Sequence, residues 1–439
     1  MKIKMTGCVS EMRKNGMLVG LMLILLMVLV VAGCSSNSND NKTNANTEKP
    51  KEVYNVKISL GTNNKASMNQ FVQRFNDTHE FVKIEPLWGK DQVQLIAANQ
   101  APDIIETGDL HIHNHKDILV DLNPYIEKSG LQDTMTDFFP GLIEPLQMDG
   151  KQLALPRAFN VGLLYYNKKL FDADKIPYPT ADWTQADFID AGEKLTKREN
   201  GKVTQWGSST VFGWWGEWLI HIRQAGGDFM TNDKVTLNTP EAIKGLQFFF
   251  DKTSKGTLKF APGPQDDALG GFAGQKTAME YGGHTGNWLG FNAVADFDWD
   301  IAVLPKGLVK AEGGELALEG YGISNTSKNV DAAWEVLQYF VSEEGQKLNL
   351  DLGITPVRKS VAEISLAVPM EERSNPKSLE SLYSAIENGM ILPRNPEFIN
   401  AAIQVVQPNI DKMLEGSITV EEAAAAAATK GQEFFDNVK

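Results

Sequence analysis

The chain has 439 residues, 42% of them apolar, and carries 42 basic against 56 acidic side chains, a formal net charge of -14 at pH 7. A chain of this length is too long for one core of usual size and long enough for two. The acidic balance repels phosphate groups, so we expect no nucleic-acid partner and no electrostatic docking on anionic lipid.

The N-terminal 33 residues have the pattern of a secretion signal. Two basic residues precede an unbroken apolar run over 17–31, and the small pair Ala32-Gly33 follows before Cys34. The run is shorter than the roughly 20 residues that span a bilayer, so we predict a removable signal over 1–33. Val31-Ala32-Gly33-Cys34 resembles the bacterial lipobox, which implies cleavage before Cys34 and attachment of lipid to it. The alternative is a plain signal peptide with a chance cysteine.

The segment behind the signal is polar. Residues 34–51 contain almost no apolar side chain, so they cannot bury enough surface to offset the entropy of ordering, and we predict a flexible tether. Once the signal is removed, Cys34 is the only cysteine left, which excludes an intramolecular disulfide. The stability of the folded part must therefore come from its cores.

Strand and helix patterns alternate from residue 52 onward. Apolar residues alternate over 56–60, recur at helical spacing over 68–75, alternate again at Val82 and Ile84, and form a short run at 104–105. Strand, helix, strand, helix, strand predicts parallel pairing with right-handed crossovers. We therefore predict an α/β lobe.

The same pattern restarts after Asn160. A buried strand is predicted over 161–166, and three later helices begin with a threonine that can cap them, at Thr184, Thr239 and Thr419. Pro240 directly after Thr239 is typical of the first turn of a helix. A second α/β lobe is therefore predicted.

Several segments together resemble the family 1 extracellular solute-binding proteins, the maltose-binding type that serves ATP-binding-cassette sugar importers. The similarity covers nearly all of residues 53–439 and rests on blocks in a fixed order. They are APDII at 101–105, DGKQLALPRAFNVGLLYYNKKLF at 149–171, GGDF at 226–229, FAGQKTAMEYGG at 272–283, WDIAVLPKG at 299–307, and GYGISNTSKNVDAAWEVLQYFVSEEGQ at 320–346.

The resemblance implies a two-lobed periplasmic-binding-protein-like α/β fold. Each lobe would be a mostly parallel sheet flanked by helices, the lobes being joined by hinge crossovers. Lobe 1 would comprise 52–159 plus 316–365, and lobe 2 would comprise 160–315 plus 366–439. The implied role is extracellular capture of a carbohydrate, of the oligosaccharide class, in an interlobe cleft by hinge closure, for the membrane permease subunits of an importer. We expect a monomer, held by its lipid on the outer face of the cell membrane.

The predicted sugar site lies between the lobes. In open α/β sheets, ligands bind outside the carboxyl ends of the strands. Short amides, carboxylates and basic groups there suit sugar hydroxyls, each of which both donates and accepts hydrogen bonds. The candidates come from loops that the resemblance places at the cleft, and they are Asn64, Lys65, Glu106, Asp109, His111, Asn160, Trp214, Trp215, Glu217, His284, Tyr321 and Arg358.

Tryptophan is the second sign of a sugar site, because the C–H face of a sugar packs on aromatic rings. Four of the nine tryptophans, Trp206, Trp214, Trp215 and Trp218, precede Gly226-Gly227 closely. They can also form a core cluster. Two adjacent tryptophans cannot both face one core from a regular strand or helix, so at least one of Trp214 and Trp215 should be exposed.

Other signals indicate neither a metal nor a catalyst. On a helix His111 and His115 would share a face and His113 would not, so a three-imidazole metal site is incomplete. The sequence contains no HExxH, GxSxG or GxGxxG motif. We expect a binding protein without cofactor or metal, and not an enzyme. Two alternatives stay open, a binding protein for another solute such as a metal or a peptide, and a secreted glycoside hydrolase.

Overall fold

The computed structural model describes residues 52–61, 65–212, 214–310, 313–393 and 395–438. The predicted signal, Cys34, the tether over 34–51 and Asn64 lie outside the described residues. Within the described ranges, none of the helices has both the length and the apolar character of a membrane span.

The described chain contains both strands and helices. The strands are β1 (Tyr54–Leu60), β2 (Val82–Trp88), β3 (Ile104–Thr107), β4 (Gln147–Met148), β5 (Lys151–Gln152), β6 (Leu155–Asn167), β7 (Lys197–Glu199), β8 (Lys202–Gln205), β9 (Met230–Thr231), β10 (Lys234–Val235), β11 (Met279–His284), β12 (Trp299–Ala302) and β13 (Leu316–Ile323).

The helices surround the sheet strands. They are α1 (Lys65–Thr78), α2 (Gln92–Ala97), α3 (Ile112–His115), α4 (Asn123–Ser129), α5 (Leu131–Thr136), α6 (Lys168–Asp174), α7 (Gln185–Leu195), α8 (Trp215–Gln224), α9 (Pro240–Asp251), α10 (Trp288–Asn292), α11 (Val330–Val341), α12 (Glu343–Asp351), α13 (Lys359–Leu366), α14 (Leu379–Glu387), α15 (Phe398–Asn400), α16 (Gln407–Leu414) and α17 (Val420–Asn437).

The first three strands pair in parallel, as predicted. β1 lies between β2 and β3, with Ile58 opposite Pro86 on one side and Ile104 on the other. α1 and α2 are the connecting helices, and α1 turns the face that carries Phe71 and Phe75 toward the sheet, where both rings are fully buried. This half of the molecule has the predicted α/β arrangement.

β6 passes from one half of the sheet to the other. Its first part pairs antiparallel with β13, where Asn160 lies opposite Ala317. Its second part pairs antiparallel with both β11 and β12, which meet Leu164 from opposite edges. β6 is 13 residues long and exceeds the predicted strand over 161–166, because each lobe supplies partners for its own part. Just ahead of β11, Thr277 forms an isolated parallel bridge with Trp206.

A third segment crosses beside β13. The backbone N–H of Leu316 donates to the carbonyl of Met390 at 3.1 Å, and the N–H of Met390 donates to the carbonyl of Gly314 at 2.8 Å. β6, β13 and the residues around Met390 therefore run side by side where the two halves of the chain meet.

The buried apolar side chains of the described residues form two hydrophobic cores. The first contains Phe71 and Phe340, and the second contains Trp218, Phe249 and Phe435. The described chain is thus a two-lobed α/β protein. Side chains of α14, from residues that the sequence assigns to lobe 2, pack in the first core.

The predicted helix starts are confirmed. Thr184 and Thr419 each form a reciprocal capping box with the acidic residue three positions on, and the Thr239 side chain accepts from the backbone N–H of Ala242 ahead of α9. These caps satisfy backbone donors that have no partner within the helix.

Candidate functional site

One face of the crossing strands carries polar side chains. Glu315 directly precedes β13, and Ala317 and Glu319 follow at intervals of two, so all three point to the same face. Ala317 lies opposite Asn160 in β6, which places the Asn160 side chain on that face as well. Carboxylates and an amide therefore project together where the lobes join.

Lobe 2 adds His284 and Trp214 to this face. His284 ends β11, and its Nε2 lies 3.1 Å from Oε2 of Glu315, whose side chain is only 3% exposed. The half-buried ring of Trp214 stands perpendicular to the His284 ring, with 5.1 Å between ring centroids. The Glu315 carboxylate, the His284 imidazole and the Trp214 indole thus lie next to one another in space.

Lobe 1 adds Asp109, from the loop that follows β3. Its Oδ1 accepts from the backbone N–H of Leu318 at 2.9 Å, which fixes the loop against β13. Burial raises the pKa of Asp109 to about 7, and the nearby Glu315 carboxylate acts in the same direction against the hydrogen bond from Leu318. Asp109 is therefore close enough to Glu315, the carboxylate beside His284, for their charges to interact.

Asn160 joins the crossing strands to lobe 2. Its Nδ2 donates to Oε1 of Glu319 at 3.1 Å, and its Oδ1 accepts from Oγ1 of Thr285 at 2.7 Å. Glu319 also forms an ion pair with the buried guanidinium of Arg157. We call the following side chains the cleft face: Asp109, Asn160, Trp214, His284, Thr285, Glu315 and Glu319.

Two other candidates lie at the lobe 1 side of this region. Burial raises the pKa of Glu106, and the charges of Arg157 and Glu319 also act on it, Arg157 lowering and Glu319 raising its pKa. Lys65 is the first residue of α1, and its Nζ lies 5.4 Å from the ring centroid of Trp88. Trp88 ends β2, so both residues lie near the carboxyl ends of the parallel strands.

His111 lies ahead of the short helix α3. Its ring centroid is 6.4 Å from that of His115, whose Nδ1 is 3.0 Å from Oγ1 of Thr107. Burial lowers the pKa of His111, and burial together with the His111 charge lowers the pKa of His115 to about 4. No described contact joins His111 to the cleft face.

A cavity of about 430 Å³ lies next to the cleft face. Asn160 and Glu319 line it from the crossing strands, Thr285 and Trp288 from lobe 2, and Ile354 from lobe 1. A volume of this size falls within the range of sites that hold small molecules. The cavity therefore extends the polar face with an apolar wall from both lobes.

Contrary to the prediction, Trp215 and Glu217 do not face the cleft. Trp215 is 4% exposed and lies in the second core, edge-on to Phe398. Glu217 is fully buried and pairs with the equally buried Lys252. Because α8 begins at Trp215, its first turn directs both side chains into lobe 2, whereas Trp214 stays at the surface.

Tyr321 and Arg358 are also placed elsewhere. Tyr321 is 3% exposed, and its ring lies between Phe340, 4.7 Å away, and the Arg157 guanidinium at 5.7 Å. The Nε of Arg358 donates to Oδ2 of Asp137 at 2.7 Å, so its charge is already engaged within lobe 1. The structure thus gives Tyr321 a packing contact and Arg358 a pairing contact within lobe 1.

Three cleft-face residues were absent from the sequence prediction, Thr285, Glu315 and Glu319. The signal that could have found the two glutamates is their spacing, four positions apart in the otherwise apolar stretch ELALE over 315–319. In a strand this spacing puts both carboxylates on one face. No sequence pattern indicates Thr285, and only its hydrogen bond to Asn160 in the structure places it on the cleft face.

A two-lobed α/β fold with a polar face at its crossing strands is typical of solute-binding proteins, and sequence comparison agrees with this class. A family model described as bacterial extracellular solute-binding protein matches residues 59–347. The chain belongs to this family.

Two relatives illustrate the similarity in sequence. The maltotriose-binding protein of Pyrococcus abyssi is 25% identical over 334 residues, which cover 73% of this chain and 67% of the relative. The arabinooligosaccharide-binding protein of Bacillus subtilis is 27% identical over 317 residues, which cover 68% of this chain and 67% of the relative.

Solved structures agree on the fold. The ABC substrate-binding protein of Listeria monocytogenes in complex with cycloalternan has a TM-score of 0.75 at 23% identity, over 88% of this chain and all of that one. The cyclic α-maltosyl-1,6-maltose binding protein of Arthrobacter globiformis has a TM-score of 0.73 at 22% identity, with the same coverage. At these identities the likeness establishes the fold alone.

Proposed function

We propose that this chain is the extracellular carbohydrate-binding component of an ATP-binding-cassette importer, and that it takes an oligosaccharide on the cleft face. The observation that carries the proposal is that Asp109 of lobe 1, Glu315 of the crossing segment and His284 and Trp214 of lobe 2 lie side by side. The names of the two relatives support a sugar as the solute.

The chemistry of the cleft face suits a sugar. Carboxylate oxygens accept from hydroxyl groups, and Asn160 and Thr285 both donate and accept. The indole of Trp214 offers an apolar surface to the C–H face of a sugar ring, since the ring is half-buried and is held edge-on by His284. The polar groups would fix the orientation of the sugar, and the Trp214 ring would supply apolar contact area for it.

The charges of the cleft face favour a neutral ligand. Arg157 and His284 each lie beside a carboxylate, Glu319 and Glu315 respectively, and Asp109 adds a further acidic group. A sugar carboxylate or phosphate placed here would meet acidic oxygens, and the like charges would repel it. We infer that uncharged oligosaccharides are preferred.

The attachment and the partners are part of the same proposal. Cys34 would carry the lipid that holds a monomer on the outer face of the cell membrane, with 34–51 as its tether. Residues 52–159 plus 316–365 would form lobe 1 and 160–315 plus 366–439 lobe 2, and the closed pair would dock on the permease subunits. The named relatives are binding proteins, and we propose that this chain likewise performs no catalysis.

The test is a thermal-shift screen of the purified protein against neutral mono- and oligosaccharides. A cognate sugar at 100 times its Kd should stabilise the fold by about 2.7 kcal/mol, and Trp214→Ala should weaken binding by more than about tenfold. Chromatography of the same mixtures should recover the sugar intact. A panel without any shift, or the release of shorter products, would contradict the proposal.

A further inference from the structure

The indole of Trp214 lies directly against the backbone of Gly216. Trp214 is the N-cap of α8, and Gly216 is the second residue of the helix. A Cβ atom at Gly216 would overlap the indole, because the Cζ2, Cε2 and Cη2 atoms of Trp214 occupy its place. The ring therefore folds back over the first turn of its own helix, on a spot that any side chain would fill.

The backbone of Gly216 does not itself call for glycine. Gly216 is not one of the glycines with positive φ, and it lies in a helix, where alanine is intrinsically favoured over glycine. What glycine provides at this position is space. The space is filled by Trp214, whose other edge meets His284.

The segment ahead of Trp214 is held by buried contacts. Oε2 of Glu217 accepts from the backbone N–H of Val211 at 2.7 Å, and Nζ of Lys252 donates to the carbonyl of Ser209 at 3.1 Å. Glu217 and Lys252 form a fully buried ion pair. Trp214 thus lies against the backbone of Gly216 and the His284 ring, and residues 209 and 211 ahead of it are anchored by the buried pair.

We propose that Gly216 is a positioning residue for ligand binding, since its missing side chain seats the Trp214 ring as a preformed surface for the sugar. The proposal rests on the proposed function in that Trp214 is the stacking surface. A preformed ring binds more tightly than a mobile one, because its ordering entropy is not lost on binding. Gly216 itself need not touch the ligand.

The experiment compares Gly216→Ala with Gly431→Ala. Gly431 lies in α17, and a Cβ there meets only ordinary contacts, with Val235 3.4 Å away, so it controls for the general effect of alanine in a helix. Gly216→Ala should weaken oligosaccharide binding by at least about tenfold while the protein stays folded by circular dichroism, and Gly431→Ala should bind as the wild type does.

A double-mutant cycle separates seating of the ring from a general structural effect. In a Trp214→Ala background, Gly216→Ala should cause no further loss of affinity, because there is no ring left to displace. Loss of the same size in both backgrounds, or wild-type affinity of Gly216→Ala, would overturn the proposal.

Acrylamide quenching of tryptophan fluorescence tests, without any sugar, whether Gly216 fixes the position of the Trp214 ring. The fluorescence of Trp214 is obtained as the difference in emission between a protein and its Trp214→Phe counterpart. Gly216→Ala should make the Trp214 ring more accessible to acrylamide, so that this fluorescence is quenched more strongly. If no sugar binds the wild type, the proposed function fails, and quenching alone decides whether Gly216 fixes the position of the Trp214 ring. Unchanged quenching would then overturn the inference as well.

Discussion

The carboxyl group of Asp109 accepts a hydrogen bond from the backbone of Leu318, and burial, together with the Glu315 charge, raises its pKa to about 7. In an unfolded chain an aspartate titrates near about 3.9. Between these two values the folded protein binds a proton that the unfolded chain has lost. The contribution of Asp109 to stability is therefore complete below about pH 4 and is lost as the pH rises through about 7.

Asp109→Asn should make the melting temperature less dependent on pH between about 4 and 7, because asparagine keeps the acceptor for Leu318 and cannot ionise. Some slope should remain, since burial also raises the pKa of Glu280 to about 7. Asp182→Asn is the matched control, as that side chain is 94% exposed. Parallel pH profiles for wild type and Asp109→Asn would contradict the assignment.

Individual site residues were predictable where a strand end or a crossing fixed their position. Asp109, Asn160, Trp214 and His284 were all selected from the sequence, and the structure brings them to one face. The sequence could not tell which of Trp214 and Trp215 faces the cleft, because the direction of each side chain depends on the residue at which α8 begins. A start one residue earlier or later would turn the pair by about 100°.

At the level of elements, α8 and α9 are joined by a buried ion pair. Burial raises the pKa of Glu217 and lowers that of Lys252, while each partner's charge opposes the shift of the other. Such a pair is costly to break on one side, because the remaining charge is buried without a counter-ion. Its role is to hold the two helices and the segment before Trp214 together.

Glu217→Gln should lower the free energy of unfolding by about 3–5 kcal/mol, measured by urea denaturation, since Lys252 keeps its charge in the core. The double change Glu217→Gln with Lys252→Met removes both charges and should recover most of that loss. If the single variant is as stable as the wild type, the pair does not hold α8 and α9 as described.

Periodicity and caps determined most elements in advance. The three threonine caps and the parallel β1–β3 unit follow from local patterns and are confirmed. The crossing around Met390 had no such pattern, because it pairs through only a few backbone atoms. Segments of this kind are defined by their neighbours in space, which periodicity within one segment cannot reveal.

At the scale of the whole molecule, the N-terminal motif predicts attachment to the membrane through Cys34. Cys34→Ala should prevent lipid addition, so that the protein is released into the medium or stays unprocessed. Fractionation of cells that express each form, followed by immunoblotting, measures this directly. If the variant is processed and retained as the wild type is, Cys34 is not the lipidated residue.

The two lobes, which the described residues join at three crossings, would give the molecule a way to report occupancy. A ligand that touches both lobes binds the closed state better than the open one, and it shifts the population by that difference in affinity. Asp109 on one lobe and His284 with Trp214 on the other are the contacts that would supply the difference. We infer that closure on the sugar is what the importer recognises.

Small-angle X-ray scattering of the protein with and without its cognate oligosaccharide tests this account most directly. Saturating sugar should reduce the radius of gyration, because closure brings the lobes together. Trp214→Ala should need a more than about tenfold higher sugar concentration to reach the same radius of gyration. An unchanged scattering curve for the saturated wild type would contradict capture by closure between the lobes.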